Sequence, residues 1–139
     1  MASAKDDEYT YLEPAEMLAE NSVLTFEEYM DMQQAIGEGT RYRILHYLTT
    51  RGDASPKELK EALDLRGNTL HHHLNKLVDV GLVQKRGRKK ANSEGLFTYY
   101  RASPFGEVIL EQGVKKLMRM EEDFQEMYGA TEESDSSHA

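Results

Sequence analysis

The 139 residues include no cysteine. Disulfides, thiolate metal sites and thiol redox switching are thereby excluded. Long apolar runs are missing too: no stretch approaches the roughly 18–20 residues a membrane span needs. The opening MASAKDDEYT is acidic and lacks the apolar segment of a signal peptide. A soluble, cytoplasmic chain without membrane partner is expected. No nucleophile–base pattern and no phosphate-binding glycine loop occurs, so the sequence does not read as an enzyme. No catalytic residue, cofactor or metal site is assigned.

Net positive charge is also absent. The formal charge is −8, which at first argues against nucleic acid. Its distribution reverses the inference. From Arg41 to Arg101 there are 13 Lys or Arg against 6 Asp or Glu, a net of +7. The remainder has 4 against 19, a net of −15. A basic middle sits in an acidic envelope, and a field localised on one face matters more to a polyanion than total charge. The envelope reads as the surface of a protein from a salt-loving cell; the alternative is an ordinary acidic protein with acidic tails.

Length gives one domain. Residues 1–24 read as an acidic, partly disordered arm, in which PAEMLAE is a candidate short helix begun by Pro14. Thr25 and Glu28 form a T-x-x-E capping box for a helix ending at Gly37 or Gly39. A second helix, Thr40 to Thr50, faces inward with Ile44, Leu45 and Leu48 and is closed by Gly52. Arg41 and Arg43 stand at its start, the wrong end for a helix dipole. They are candidates for phosphate contact, with pairing to Glu38 or Asp31 as the alternative. Ser55, Pro56 and Glu58 are three start signals for a helix to Asp64. Leu65-Arg66-Gly67 then turns the chain into Asn68–Val80. Two short helices joined by a tight glycine-containing turn are a helix-turn-helix.

In that last helix Leu70, Leu74, Leu77 and Val78 fall on one face, with Asn68 as the expected N-cap and Gly81 as the stop. Between the apolar positions lie Thr69, His71, His72, Asn75 and Lys76, which hydrogen-bond and carry no negative charge. Such a face suits the floor of a DNA major groove; the bland alternative is a solvated helix. Three successive histidines cannot converge on one ion, because neighbouring side chains splay about 100° apart. His73 is expected to pack against the helix's inner side.

After Gly81, Leu82–Arg86 and Leu96–Arg101 read as strands. Five of the six residues Lys85 to Lys90 are basic, and a basic hairpin after a helix-turn-helix is a wing. Ser103-Pro104 starts a last helix, expected to run unbroken to Tyr128, roughly 37 Å at 1.5 Å per residue. Leu110, Leu117 and Phe124 recur every seven residues, with Gly113, Met120 and Met127 three after each, an a/d seam flanked by Val114. So long a helix needs a partner chain. Residues 129–139 read as a disordered acidic tail. Seven methionines without cysteine also allow oxidation of the seam, although methionine is more often packing material.

The segment AIGEGTRYRILHYL, then SPKEL, then LHHHLNKLVDVGLVQKR, resembles the winged helix-turn-helix of ArsR-type prokaryotic transcriptional regulators. The likeness covers Ala35 to about Arg101. It implies a mainly α fold with a small β-hairpin: an 25–103 DNA-binding domain and a 104–128 dimerisation helix. It implies a regulator acting as a homodimer on double-stranded DNA at a pseudo-palindromic promoter site. The base-facing set would be Asn68, Thr69, His71, His72, Asn75 and Lys76, the last on phosphate. Wing and backbone contacts would come from Arg41, Arg43, Lys57, Arg66, Lys85, Arg86, Arg88, Lys89 and Lys90. Dimer contacts would come from Phe26, Leu110, Val114, Leu117, Met120, Phe124 and Met127. Metal-sensing members carry cysteine motifs; none is present, so metal sensing is not inherited. The acidic envelope points to a haloarchaeal member, and to salt cations held between carboxylate and phosphate at the DNA interface. The competing readings are a winged helix used for protein contact and a histidine metal protein.

Overall fold

The computed structural model describes residues 11–89 and 96–136. After a short 3-10 turn, Pro14–Met17, come helices α1 (Phe26–Ile36), α2 (Gly39–Arg51), α3 (Pro56–Leu63) and α4 (Gly67–Asp79). The hairpin β1 (Val83–Lys89) and β2 (Leu96–Ala102) follows, then α5 (Pro104–Glu111), α6 (Val114–Arg119) and α7 (Glu121–Ser136). This is a winged helix-turn-helix: α3 and α4 are its two helices and β1–β2 its wing.

The local signals act as the residues dictate. Thr25–Glu28 and Ser55–Glu58 both close reciprocal capping boxes, satisfying two orphan donors each. Gly81 has φ +85°. Its N–H reaches Val78 O and Leu82 N–H reaches Leu77 O, the paired bonds of a Schellman stop. Asp64 ends α3 at φ 54°, a left-handed position that Asp tolerates better than most side chains. That geometry compresses the link to α4.

One apolar core collects the inward faces: Met32 and Ile36 from α1, Ile44, Leu45 and Leu48 from α2, Leu59 from α3, and Leu70, Leu74 and Leu77 from α4. Leu82, Val83, Tyr100 and Leu110 complete it. The hairpin is antiparallel with Val83 opposite Ala102 and Lys89 opposite Leu96. A third backbone segment joins it. Ala54 exchanges both bonds with Tyr100, at 3.0 and 2.8 Å, so the α2–α3 link is sewn to β2. Ser103 and Gly106 then seat α5. A Cβ on Gly106 would lie 2.2 Å from Leu82 O, so only glycine allows this approach.

Five expectations change. The unbroken helix from Pro104 to Tyr128 is three pieces, interrupted at Gln112–Gly113 and at Met120. Gly113 departs from helical geometry (φ −102°, ψ −128°), and a seven-residue seam cannot persist across two breaks. Leu110 is fully buried in the domain core and therefore faces no partner. Asn68 is not the N-cap: that position is Arg66, and the Asn68 side chain instead accepts from Thr69 N–H. Helix α7 continues to Ser136, through residues whose acidity had suggested a tail without order. The PAEMLAE candidate shrinks to the 3-10 turn, and Leu18 is already extended. Residues 1–10, 90–95 and 137–139 lie outside the described residues, so Lys90 and the wing tip are not placed.

Candidate nucleic-acid interface

Helix α4 is two-sided. Leu70, Leu74 and Leu77 are sealed in the core, while Asn68, Thr69, His71, His72, Asn75 and Lys76 are all exposed. The structure thus brings together on one surface the six residues that the sequence assigned to reading. Arg66, immediately before α4, and Lys57, in the first turn of α3, are exposed as well.

The rear of α4 has a polar anchor as well as an apolar one. Arg41 Nε donates to Ala35 O at 2.7 Å, the carbonyl end of α1. Its Nη1 lies 3.1 Å from His73 Nδ1. A guanidinium only donates, so Nδ1 accepts and the ring proton belongs on Nε2. Glu38 N-caps α2 by accepting from Arg41 N–H at 2.8 Å, and its carboxylate is 3.9 Å from His73 Nδ1. Burial pushes the His73 pKa below its ordinary range; Glu38 opposes this, while Arg41 and His72 reinforce it. The Glu38 carboxyl is held low chiefly by the Arg41 backbone N–H. Arg41, by sequence a phosphate candidate, is therefore turned inward as the tie among α1, α2 and α4. Its partners are Ala35 and His73 rather than Asp31. Arg43 Nη2 donates to Leu63 O at 3.0 Å, capping α3 while its side chain remains exposed. His71 and His72 are exposed while His73 faces Arg41; the His72 ring meets that of His73 edge to face, with centroids 5.1 Å apart.

On the wing the basic residues divide by strand alternation. Lys85 and Lys89 share one side with buried Val83 and Tyr100. Arg86, Arg88 and Arg101 share the other with Phe97 and Tyr99. On that side Arg101 grips Asp53 with a fork, Nε to Oδ1 at 3.1 Å and Nη2 to Oδ2 at 2.8 Å. Arg88 Nη2 is 3.7 Å from the same Oδ2. Its guanidinium carbon lies 4.6 Å from the Tyr99 ring centre. Hydrogen bonding from Arg101 holds the Asp53 carboxyl below its usual range, with Arg101, Arg88 and Arg86 adding charge attraction. Sequence reasoning missed Asp53 and Ala54. Their partners are 35 to 48 residues away, and nothing in a Gly-Asp-Ala link announces a strand or a salt bridge.

At the C-terminal end Val114, Leu117, Met118, Phe124, Met127 and Tyr128 are exposed, whereas Phe26 and Met120 are half-buried. An open apolar groove of about 460 Å³ runs between α1 and α5, lined by Tyr29, Met32, Pro104, Phe105, Val108 and Ile109. No described helix is long and apolar enough to cross a membrane.

A family model described as a helix-turn-helix domain matches residues 36–86. No curated protein matches the chain. Among solved structures, the chain is similar to a transcriptional regulator homologue from Pyrococcus horikoshii OT3. The identity is 21% over 71% of this chain and 98% of that one, with a TM-score of 0.56. It is similar to the homodimeric winged helix-turn-helix DNA-binding domain of a Mycobacterium bovis protein described as a possible ArsR-family transcriptional regulator. Here identity is 23% over 72% and 84% of the two chains, with a TM-score of 0.54. HlyU from Vibrio cholerae matches at 26% identity over 62% and 87%, with a TM-score of 0.51. Residues 36–86 thus match a helix-turn-helix domain, and the fold that contains them is a winged helix-turn-helix.

Proposed function

We propose that the protein is a transcriptional regulator that binds double-stranded DNA sequence-specifically as a homodimer, at pseudo-palindromic promoter sites. The observation that carries this reading is the two-sided α4. Its core face is fixed by leucines and by the Arg41–His73 tie, and from Asn68 to Lys76 its outer face is a set of exposed donors and acceptors without negative charge, the exposed carboxylate of Asp79 standing only at the helix's C-terminal end. Asn68 and Asn75 have the paired donor and acceptor that adenine presents in the major groove; Thr69, His71 and His72 offer single contacts. Lys57, Arg66, Lys76, Lys85, Arg86 and Lys89 are exposed cations around it and suit phosphate.

The homodimer is supported by the exposed apolar side chains of α6 and α7 and by the open groove between α1 and α5. These are surfaces a monomer rarely leaves uncovered. Two reading helices about 34 Å apart would meet successive major grooves on one side of the duplex. The acidic remainder supports a halophilic, archaeal origin and cations held at the DNA interface, with Asp64 an exposed carboxylate close in sequence to α4.

The test divides labour between helix and wing. A genomic DNA selection supplies the bound sites, and anisotropy titrations then compare a selected site with random duplex. His72→Ala and Asn75→Ala should lose about 1–3 kcal/mol on the selected site and little on random DNA. Lys85→Ala with Lys89→Ala should weaken both alike and flatten the salt slope by about 1.8. Equal losses on both DNAs for both classes of variant refute the assignment.

A further inference from the structure

We infer that Asp53 is a charge latch on the wing: it keeps Arg88 and Arg101 off DNA phosphate and so lowers affinity for DNA of arbitrary sequence. The inference rests on the DNA-binding reading above. Asp53 belongs to the link between α2 and α3, and its neighbour Ala54 is bonded to Tyr100 on β2 through both backbone groups. The carboxylate is thereby held beside the hairpin by its own backbone. Its two oxygens take the Arg101 fork, the geometry in which arginine binds a carboxylate most firmly.

Arg88 is held from two directions. Asp53 Oδ2 lies 3.7 Å from its Nη2, and the Tyr99 ring lies against its guanidinium. Its side chain is nevertheless 56% exposed, so solvent and a phosphate can both reach it. A phosphate approaching Arg88 would meet the negative charge of Asp53 as well. Lys85 and Lys89, on the opposite side of the hairpin, have no such neighbour among the described residues. The wing therefore carries two classes of cation, one offered outward and one already matched by a carboxylate of the same chain. Asp53 acts through Arg88 and is a positioning residue.

A fluorescein-labelled 30-base-pair duplex of random sequence is titrated with the full-length protein across a KCl series. Asp53→Asn keeps an oxygen acceptor for Arg101 and removes the charge. The salt slope should steepen by about one unit, the contribution of one added phosphate contact, and affinity at the low-salt end should rise. Arg88→Gln in the native background should leave the slope unchanged; in the Asp53→Asn background it should cancel the added unit. A merely structural Asp53 would weaken binding and would not steepen the slope. Binding by the native protein with no steepening in Asp53→Asn overturns the latch alone. No binding of any duplex by the native protein overturns the DNA-binding reading and the latch together. If Asp53→Asn fails to fold, Arg88→Gln still decides: a slope reduced by about one unit means that Arg88 already contacts phosphate and the latch is wrong, whereas an unchanged slope supports it.

Discussion

Replacing Ser103 with alanine removes one oxygen that three elements share. The residue is 4% exposed. Its Oγ donates to Gly81 O at 2.6 Å and accepts from Gly106 N–H at 3.1 Å. The same hydroxyl thus N-caps α5 and ties it to the turn where α4 passes into the wing. Loss of a serine cap costs about 1 kcal/mol. The half-buried Gly81 carbonyl, deprived of its donor, adds a loss near the low end of the roughly 1–3 kcal/mol that a fully buried group costs. The two losses share one side chain and overlap, so Ser103→Ala should destabilise by about 2–3 kcal/mol, a fall in Tm of roughly 6–15 °C for a chain of this size. Urea unfolding followed by far-ultraviolet circular dichroism at fixed KCl should show a lower midpoint with unchanged m-value. Glycine is nearly as good a cap as serine, so Ser103→Gly separates the two terms. If the Gly81 bond contributes, the glycine variant also loses more than 1 kcal/mol. An alanine variant within 0.5 kcal/mol of the native protein would refute the reasoning.

Gly106→Ala should be more severe, because its Cβ would stand 2.2 Å from backbone oxygen that cannot rotate away; soluble expression and thermal melting would show a loss of 3 kcal/mol or more. Leu110→Ala should cost about 2–5 kcal/mol of stability, whereas exposed Leu117→Asp should leave the domain folded and shift the mass measured by light scattering from dimer to monomer. A native protein that is already monomeric at micromolar concentration would end the dimer proposal. Stability should fall on acidification in two windows. His73 has a depressed pKa, so its contribution is complete above about pH 6.5 and is lost as pH falls through and below that value. Asp53 and Glu38, also depressed, lose theirs below about pH 4. His73→Gln should abolish the upper window only, as read by urea midpoints from pH 4 to 8.

The parts of this fold written in short-range chemistry were legible. Two capping boxes, Pro56, Gly81 and the leucine period of α4 place the helix-turn-helix, since each acts within one turn of helix. The exposed face of α4 follows from the same period. The failures lie where distant residues decide. Leu110 fits a heptad seam as well as it fits a core, and only the approach allowed by Gly106 decides that α5 packs on Leu82. Asn68 has the chemistry of a cap, yet the left-handed turn at Asp64 starts the helix early, with Arg66 at the N-cap two residues before it. Arg41 looked misplaced against the helix dipole because its partners, Ala35 O and His73, belong to other helices.

Those arginines share a pattern. Arg41 serves a carbonyl and an imidazole, Arg43 a carbonyl, Arg88 and Arg101 the Asp53 carboxylate, and Arg119 the Glu111 carboxylate. The planar fork suits such fixed partners. Lys57, Lys76, Lys85 and Lys89 have no ion pair or side-chain hydrogen bond among the described residues, and all are exposed. Arg51 and Arg66 depart from the division; the lysine pair Lys115 and Lys116 departs the other way, with Glu111 and Gln112 as partners. On the DNA-binding reading, the cations left for phosphate are then mainly flexible point charges. They add salt-dependent affinity without fixing register, and they discriminate poorly between bases. Discrimination falls to the neutral side chains of α4, above all to the amides of Asn68 and Asn75. The Asn68 carbonyl oxygen already accepts from Thr69 N–H, which fixes that amide's orientation and uses one of its two acceptor sites, whereas Asn75 has no side-chain hydrogen bond among the described residues and turns freely to suit one base.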